Sequence, residues 1–207
     1  MKIQLALDRL TKEECFHLVD ETINFIDMVE IGTGVIKEYG MYIIKEMKER
    51  YVQLPILADM KTCDDGKNEA IQAFRSGADV MTVMAFSANQ TIVDALSIAQ
   101  QYDKRIMIDL LGIQTRDRVE QLVSLGCDLF CLHIGKDTQK QEELDVKSLM
   151  HLVERFDTVE VAIAGGINAK IAKEIQRFPI DLLVVGSAIT SSEYPKLASK
   201  EIVDQLL

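Results

Sequence analysis

The sequence predicts a (β/α)8 barrel: eight parallel strands closed into a cylinder and wrapped in helices. Three features predict it. Eight short apolar runs recur along the chain, an amphipathic stretch follows each, and 207 residues leave little room for more. An open doubly wound sheet is the other architecture with this alternation. No Pro/Ser-rich linker or low-complexity tract divides the chain, so one barrel domain is expected to span residues 1–207.

The runs are IQLAL, MVEIG, PILAD, DVMTV, RIMID, DLFCLH, VEVAIAG and DLLVVG. Each is continuously apolar rather than strictly alternating, the pattern of strands covered on both faces. After the first, Thr11 and Glu14 form a capping box, and Cys15, Leu18, Val19, Ile23 and Ile26 follow at helical spacing. The second run leads through the next helical stretch to PILAD. Ser76-Gly77-Ala78-Asp79 then stops a helix before DVMTV, and Leu125-Gly126-Cys127-Asp128 does the same before DLFCLH. RIMID lies between those two. VEVAIAG is the seventh run, and Pro179 ends the last helix before DLLVVG.

Bulk composition narrows the function. At 48% hydrophobic the chain can build one large core, and a net charge of -10 argues against a nucleic-acid or anionic-membrane partner. The apolar run before Asp8 and Arg9 is too short for a signal peptide, and no stretch approaches the roughly 20 apolar residues of a membrane span. A cytoplasmic location is expected. Cys15, Cys63, Cys127 and Cys131 have no CxxC spacing. Cys127 and Cys131 read as small buried hydrophobes, and Cys63 as exposed.

In a barrel the chemistry collects at the C-terminal ends of the strands. Asp8 ends the first, Glu30 lies in the second, Asp59 ends the third, Asp109 the fifth and His133 the sixth. Asp59 and Lys61, two apart on an extended segment, are expected on the same side. Carboxylates gathered in a partly dry pocket repel unless cations intervene. Lys61 supplies one positive charge; an oxygen-only donor set with open positions suits Mg²⁺, with Mn²⁺ as the alternative ion. Glu30 and Asp59 either hold such a cation or are strand-end residues bonded to loop amides. His17 and His151, the latter in the helical stretch KSLMHLVERF, read as surface residues. His133 is either a general acid/base or a satisfied structural histidine. Gly165-Gly166 and Gly186-Ser187 follow the last two strands, where bare backbone amides make the usual phosphate cradle of barrels.

DMKTCD, read as Asp59-x-Lys61-x-x-Asp64, resembles the DxKxxD signature of the orotidine 5'-monophosphate decarboxylase superfamily. LALD, VEIGT, AIAGGIN and VVGSAIT fall around it in the expected order, so the resemblance covers essentially the whole chain. It follows the 3-hexulose-6-phosphate synthase branch, whose neighbour is the 3-keto-L-gulonate-6-phosphate decarboxylase branch. Ser187 stands where the decarboxylases typically carry an arginine. His133-Ile134-Gly135 is synthase-like where they carry an HRSRD-like segment, and Lys136 departs from the pattern.

The resemblance implies a metal-dependent carbon–carbon lyase working as a homodimer with active sites at the subunit interface. Glu30 and Asp59 would be the Mg²⁺-side carboxylates, Lys61 would lie beside the reacting carbon, and Asp64 would reach into the second subunit's site. The implied reaction joins formaldehyde to D-ribulose 5-phosphate through a 1,2-enediolate. His133 would be the base, Asp8 and Asp109 would bind substrate, and Gly165, Gly166, Gly186 and Ser187 would hold the phosphate. A 6-phospho-3-hexuloisomerase is the implied pathway partner. Decarboxylation of 3-keto-L-gulonate 6-phosphate is the first alternative, and a barrel that binds a sugar phosphate without turnover is the second.

Overall fold

A computed structural model describes residues 1–140 and 145–206. The chain runs β1 (Lys2–Leu7), α1 (Lys12–Thr22), β2 (Met28–Ile31), α2 (Thr33–Tyr39), α3 (Tyr42–Arg50), β3 (Ile56–Thr62), α4 (Gly66–Arg75) and β4 (Val80–Met84). It continues through α5 (Asn89–Tyr102), β5 (Arg105–Asp109), α6 (Arg116–Ser124), β6 (Leu129–His133), α7 (Val146–Met150) and β7 (Glu160–Ala164). It ends with α8 (Ala169–Ile175), β8 (Leu182–Val185), α9 (Ser187–Thr190) and α10 (Pro195–Asp204). Every strand pairs in parallel with its sequence neighbours, and β8 pairs with β1 (Gln4 opposite Val184), so the sheet closes. The barrel, not the open sheet, is the architecture, and all eight apolar runs are its strands.

Two apolar layers result. Outward-facing side chains such as Leu5, Ile31, Ile108, Phe130 and Leu183 pack beneath the helices. Inward-facing Leu57, Val80, Met107, Leu129, Cys131, Ala162, Leu182 and Val184 fill the barrel. The helix ends follow local chemistry. Thr11 and Glu14 exchange backbone and side-chain bonds at the start of α1. After α4 and α6, Gly77 (φ 100°) and Gly126 (φ 97°) take the left-handed conformation that lets the next amides bond back to Ala73 and Leu122. KSLMHLVERF is only partly helical: α7 stops at Met150 and His151 caps it, exposed beside Arg116 and Glu154.

The bottom of the barrel uses one device three times. Asp27, Asp79 and Asp181 stand immediately before β2, β4 and β8. Each accepts from the first amides of the preceding strand through its carboxylate (Ile3, Ile56 and Val161, 2.8–2.9 Å). Each also returns its own amide to the same residue's carbonyl. Strand-start groups with no ladder partner are thus satisfied, leaving the opposite rim for chemistry.

Candidate active site

Strand alternation aims the polar residues inward. Leu57, Met107 and Cys131 lie in the barrel's apolar filling, and two residues further along the same strands stand Asp59, Asp109 and His133. These side chains meet Glu30, Lys61 and Asp8 in a cavity of about 640 Å³ at the C-terminal mouth. Gly165, Gly166, Gly186 and Ser187 line the same cavity, so the expected phosphate turns and the expected chemical groups share it.

Lys61 reaches the cavity by a route that regular extended geometry does not provide. The register between β3 and β4 jumps from Ala58–Met81 to Thr62–Val83, and Lys61 sits in the bulge at φ 46°, a left-handed conformation rare for a side-chain-bearing residue. Thr82 secures the distortion: its hydroxyl accepts from the Lys61 amide at 2.9 Å and donates to Asp59 Oδ1 at 2.9 Å. Asp59 and Lys61 do face the same cavity, as two-residue spacing predicts. Lys61 Nζ lies 3.1 Å from Asp59 Oδ2 and 2.9 Å from Asp109 Oδ2, and Asp109 Oδ2 lies 2.9 Å from His133 Nδ1. A continuous chain of ion-paired and hydrogen-bonding groups, Asp59–Lys61–Asp109–His133, therefore crosses the mouth.

The electrostatics follow from burial. Dehydration opposes ionisation of Asp109, yet His133 and Lys61 outweigh it and hold the carboxyl at about 2. Burial also works against the Lys61 ammonium, but Asp59 and Asp109 raise it above the usual lysine range. Glu30 goes the other way: burial and then the Asp59 charge push it up to about 8. That mismatch tests the fit of a metal. Two oxygen donors share one wall and repel, and the Lys61 ammonium is engaged by Asp59 and Asp109. A divalent ion bound by Glu30 and Asp59 would supply the missing positive charge. Among the described residues no group of three or more His, Cys, Asp or Glu is arranged as a metal cage. The donor set therefore fits an ion that keeps water and substrate oxygens as further ligands, the habit of Mg²⁺.

The other expected residues divide. Asp8 lines the cavity, accepting from the Gly34 amide at 2.9 Å with Arg9 Nε 3.2 Å away. Gly165 (φ 112°) has no room for a side chain, since a Cβ would stand 2.6 Å from the Ile134 carbonyl. Gly166 (φ 69°) opens on free space. Asp64 is exposed, accepts from the Asp65 amide, and is outside the cavity lining of its own chain. Sequence reading missed Thr82, Thr33, whose hydroxyl lies 2.9 Å from Asp59 Oδ2, and Gln4, bonded to Glu30. A polar residue at an inward position of an otherwise apolar run, as in DVMTV and IQLAL, was the available signal.

Known proteins share this chain's sequence and fold. A 3-hexulose-6-phosphate synthase of Bacillus subtilis is 36% identical over 193 residues, covering 93% of this chain and 92% of that protein. The crystal structure of a 3-hexulose-6-phosphate synthase from Salmonella typhimurium superposes with a TM-score of 0.96 at 31% identity, covering 100% and 98% of the two chains. A 3-keto-L-gulonate-6-phosphate decarboxylase from Vibrio cholerae shares the fold at a TM-score of 0.88 and 23% identity, over 99% and 96%. Residues 1–202 match the model of the Orotidine 5'-phosphate decarboxylase / HUMPS family, and with relatives this similar over nearly full length, the chain belongs to that family.

Proposed function

We propose that this chain catalyses the condensation of formaldehyde with D-ribulose 5-phosphate to D-arabino-hex-3-ulose 6-phosphate, the reaction of the 3-hexulose-6-phosphate synthases. The observation that carries it is the Asp59–Lys61–Asp109–His133 chain sharing one cavity with the small-residue turns. With Nδ1 committed to Asp109, His133 keeps Nε2 to take the proton from C1. The electron pair moves onto the C2 oxygen, where the Lys61 ammonium offsets the developing charge. C1 then bonds to the formaldehyde carbon, and the proton held by His133 passes to the formaldehyde oxygen. Mg²⁺ on Glu30 and Asp59, or Mn²⁺ in its place, would supply Lewis acidity to the C2 oxygen. The turns at Gly165, Gly166, Gly186 and Ser187 anchor the phosphate and thereby fix C1 within reach. Asp8 orients substrate hydroxyls. Asp64, exposed on its own chain, serves the second copy in a homodimer. The product is a 3-ketose phosphate, the substrate class of an isomerase.

Two assays on one preparation test this reading. Formaldehyde should disappear only when ribulose 5-phosphate and Mg²⁺ are both present, and EDTA should stop it. CO₂ release from 3-keto-L-gulonate 6-phosphate with the larger kcat/KM would replace the synthase reading by the decarboxylase one. Binding of sugar phosphate without turnover in either assay would make the barrel a binding protein. Lys61→Ala and Asp59→Asn should each abolish turnover; activity indifferent to both would remove the mechanism.

A further inference from the structure

Gln4 is an amide in the apolar filling of the barrel. It is fully buried and sits on β1 opposite Met28 of β2 and Val184 of β8, one inward position below the level at which Ala6 faces Glu30. Its Nε2 donates to Glu30 Oε2. Its Oε1 is buried and makes no hydrogen bond among the described residues. An unpaired buried acceptor lowers stability, and an apolar side chain of similar volume would fill the same space without that cost. Among the described residues the one side-chain hydrogen bond Gln4 makes is therefore to the carboxylate in the cavity wall, whose other oxygen, Oε1, accepts none.

We propose that Gln4 is a positioning residue for the cation site: its amide clamps one oxygen of Glu30 from below so that the other is presented to a divalent ion in the cavity. The inference rests on the reading of Glu30 as a cation ligand. It adds that the orientation of this ligand is set from inside the barrel, by a residue no substrate can touch. Partners that orient a ligating carboxylate typically change metal affinity 10- to 100-fold when removed, which sets the scale of about 10-fold or more expected here.

The test is Gln4→Met, close in volume and without polar atoms that need partners, with Gln4→Leu as the second variant. Both proteins and the wild type are stripped with EDTA. Mn²⁺ binding is then titrated by the spin-resonance signal of the free ion, with ribulose 5-phosphate present and formaldehyde omitted. The thermal midpoint of each metal-free protein is measured alongside. The expected result is Mn²⁺ binding weakened about 10-fold or more in folded variants whose metal-free midpoint changes little, since the substitution removes the unpaired Gln4 Oε1 and in exchange leaves Glu30 Oε2 without its donor. Mn²⁺ binding equal to wild type in a folded variant overturns the inference alone. A fall in midpoint that parallels the loss of binding, or failure of both variants to fold, overturns it by making Gln4 a structural residue. If the wild type binds no Mn²⁺, the reading of Glu30 as a ligand falls first and takes this inference with it.

Discussion

Asp109 Oδ2 is shared between the Lys61 ammonium and the His133 imidazole, lying 2.9 Å from Lys61 Nζ and 2.9 Å from His133 Nδ1, while Asp109 Oδ1 accepts from the Leu111 amide. One buried carboxylate thus fixes the position of the ammonium and the tautomer of the imidazole together. Asp109→Asn keeps the shape and loses both effects. A neutral amide accepts through one oxygen only: its NH₂ in place of Oδ2 faces Lys61 and His133 Nδ1 together, and in place of Oδ1 it faces the Leu111 N–H. The expected result is a fall in kcat of about 10²-fold or more, the scale of a lost acid–base contribution. Steady-state kinetics on a variant with wild-type circular dichroism checks it; kcat within a factor of about two would show that His133 is oriented by other means.

Thr82 links the bulge to the charge chain, and Thr82→Val removes the link at almost constant volume. The Lys61 amide then loses its acceptor and Asp59 Oδ1 loses a donor. An orphaned amide of this kind costs about 1–3 kcal/mol, and the left-handed backbone at Lys61 (φ 46°) loses one of the contacts that hold it. Denaturant unfolding should report the stability loss, and kinetics should report lower kcat with less change in KM. Unaltered stability together with unaltered kcat would show the bulge to be held without Thr82.

The fold was legible because its signals are local. Buried parallel strands write themselves as continuous apolar runs, and Gly77 and Gly126 mark helix ends through a conformation that other residues avoid. Strand-end position also brought Asp109 and His133 to one mouth, whereas Asp59 reaches it from within β3, which continues to Thr62. The bulge was not legible. A two-residue spacing predicts the same side for Asp59 and Lys61 only in regular extended chain, and the contact is made here in a left-handed backbone held by a residue 21 positions away. Thr82, Thr33 and Gln4 escaped for the same reason: their roles are pairings between elements far apart in the sequence. The length of α7 was overread because the periodicity of KSLMHLVERF continues beyond the point where the backbone bonds do.

The turns proposed to hold the phosphate carry no cationic side chain of their own, since Ser187 follows Gly186. Positive charge is available on the cavity rim, where Lys37 of α2 and Lys136 after β6 line the cavity, both exposed and neither in an ion pair among the described residues. Lys37→Ala and Lys136→Ala should each raise KM for ribulose 5-phosphate several-fold, leave kcat nearly unchanged, and weaken the dependence of KM on ionic strength, as screened rim charges do. KM insensitive to both substitutions would place the whole phosphate interaction on backbone amides.

Asp79, at the opposite end of the barrel, is the place where pH should act on stability without touching the cavity. Its carboxylate holds Lys48 at 2.8 Å, Lys104 at 2.6 Å and the Ile56 amide at 2.9 Å. Burial resists its ionisation, but the two ammonium groups and the amide outweigh that and leave it below the usual carboxylate range. A depressed acid stabilises the fold at pH values above its unfolded pKa of about 3.9 and loses that contribution as pH falls through the lower folded value. Asp79→Asn should therefore cost about 1–3 kcal/mol near neutrality. The gap to wild type should persist down to about pH 4 and close below it. Urea unfolding of both proteins over a pH series measures the gap directly. A gap that stays constant into the acid, or widens there, would mean that Asp79 acts by packing and not by charge.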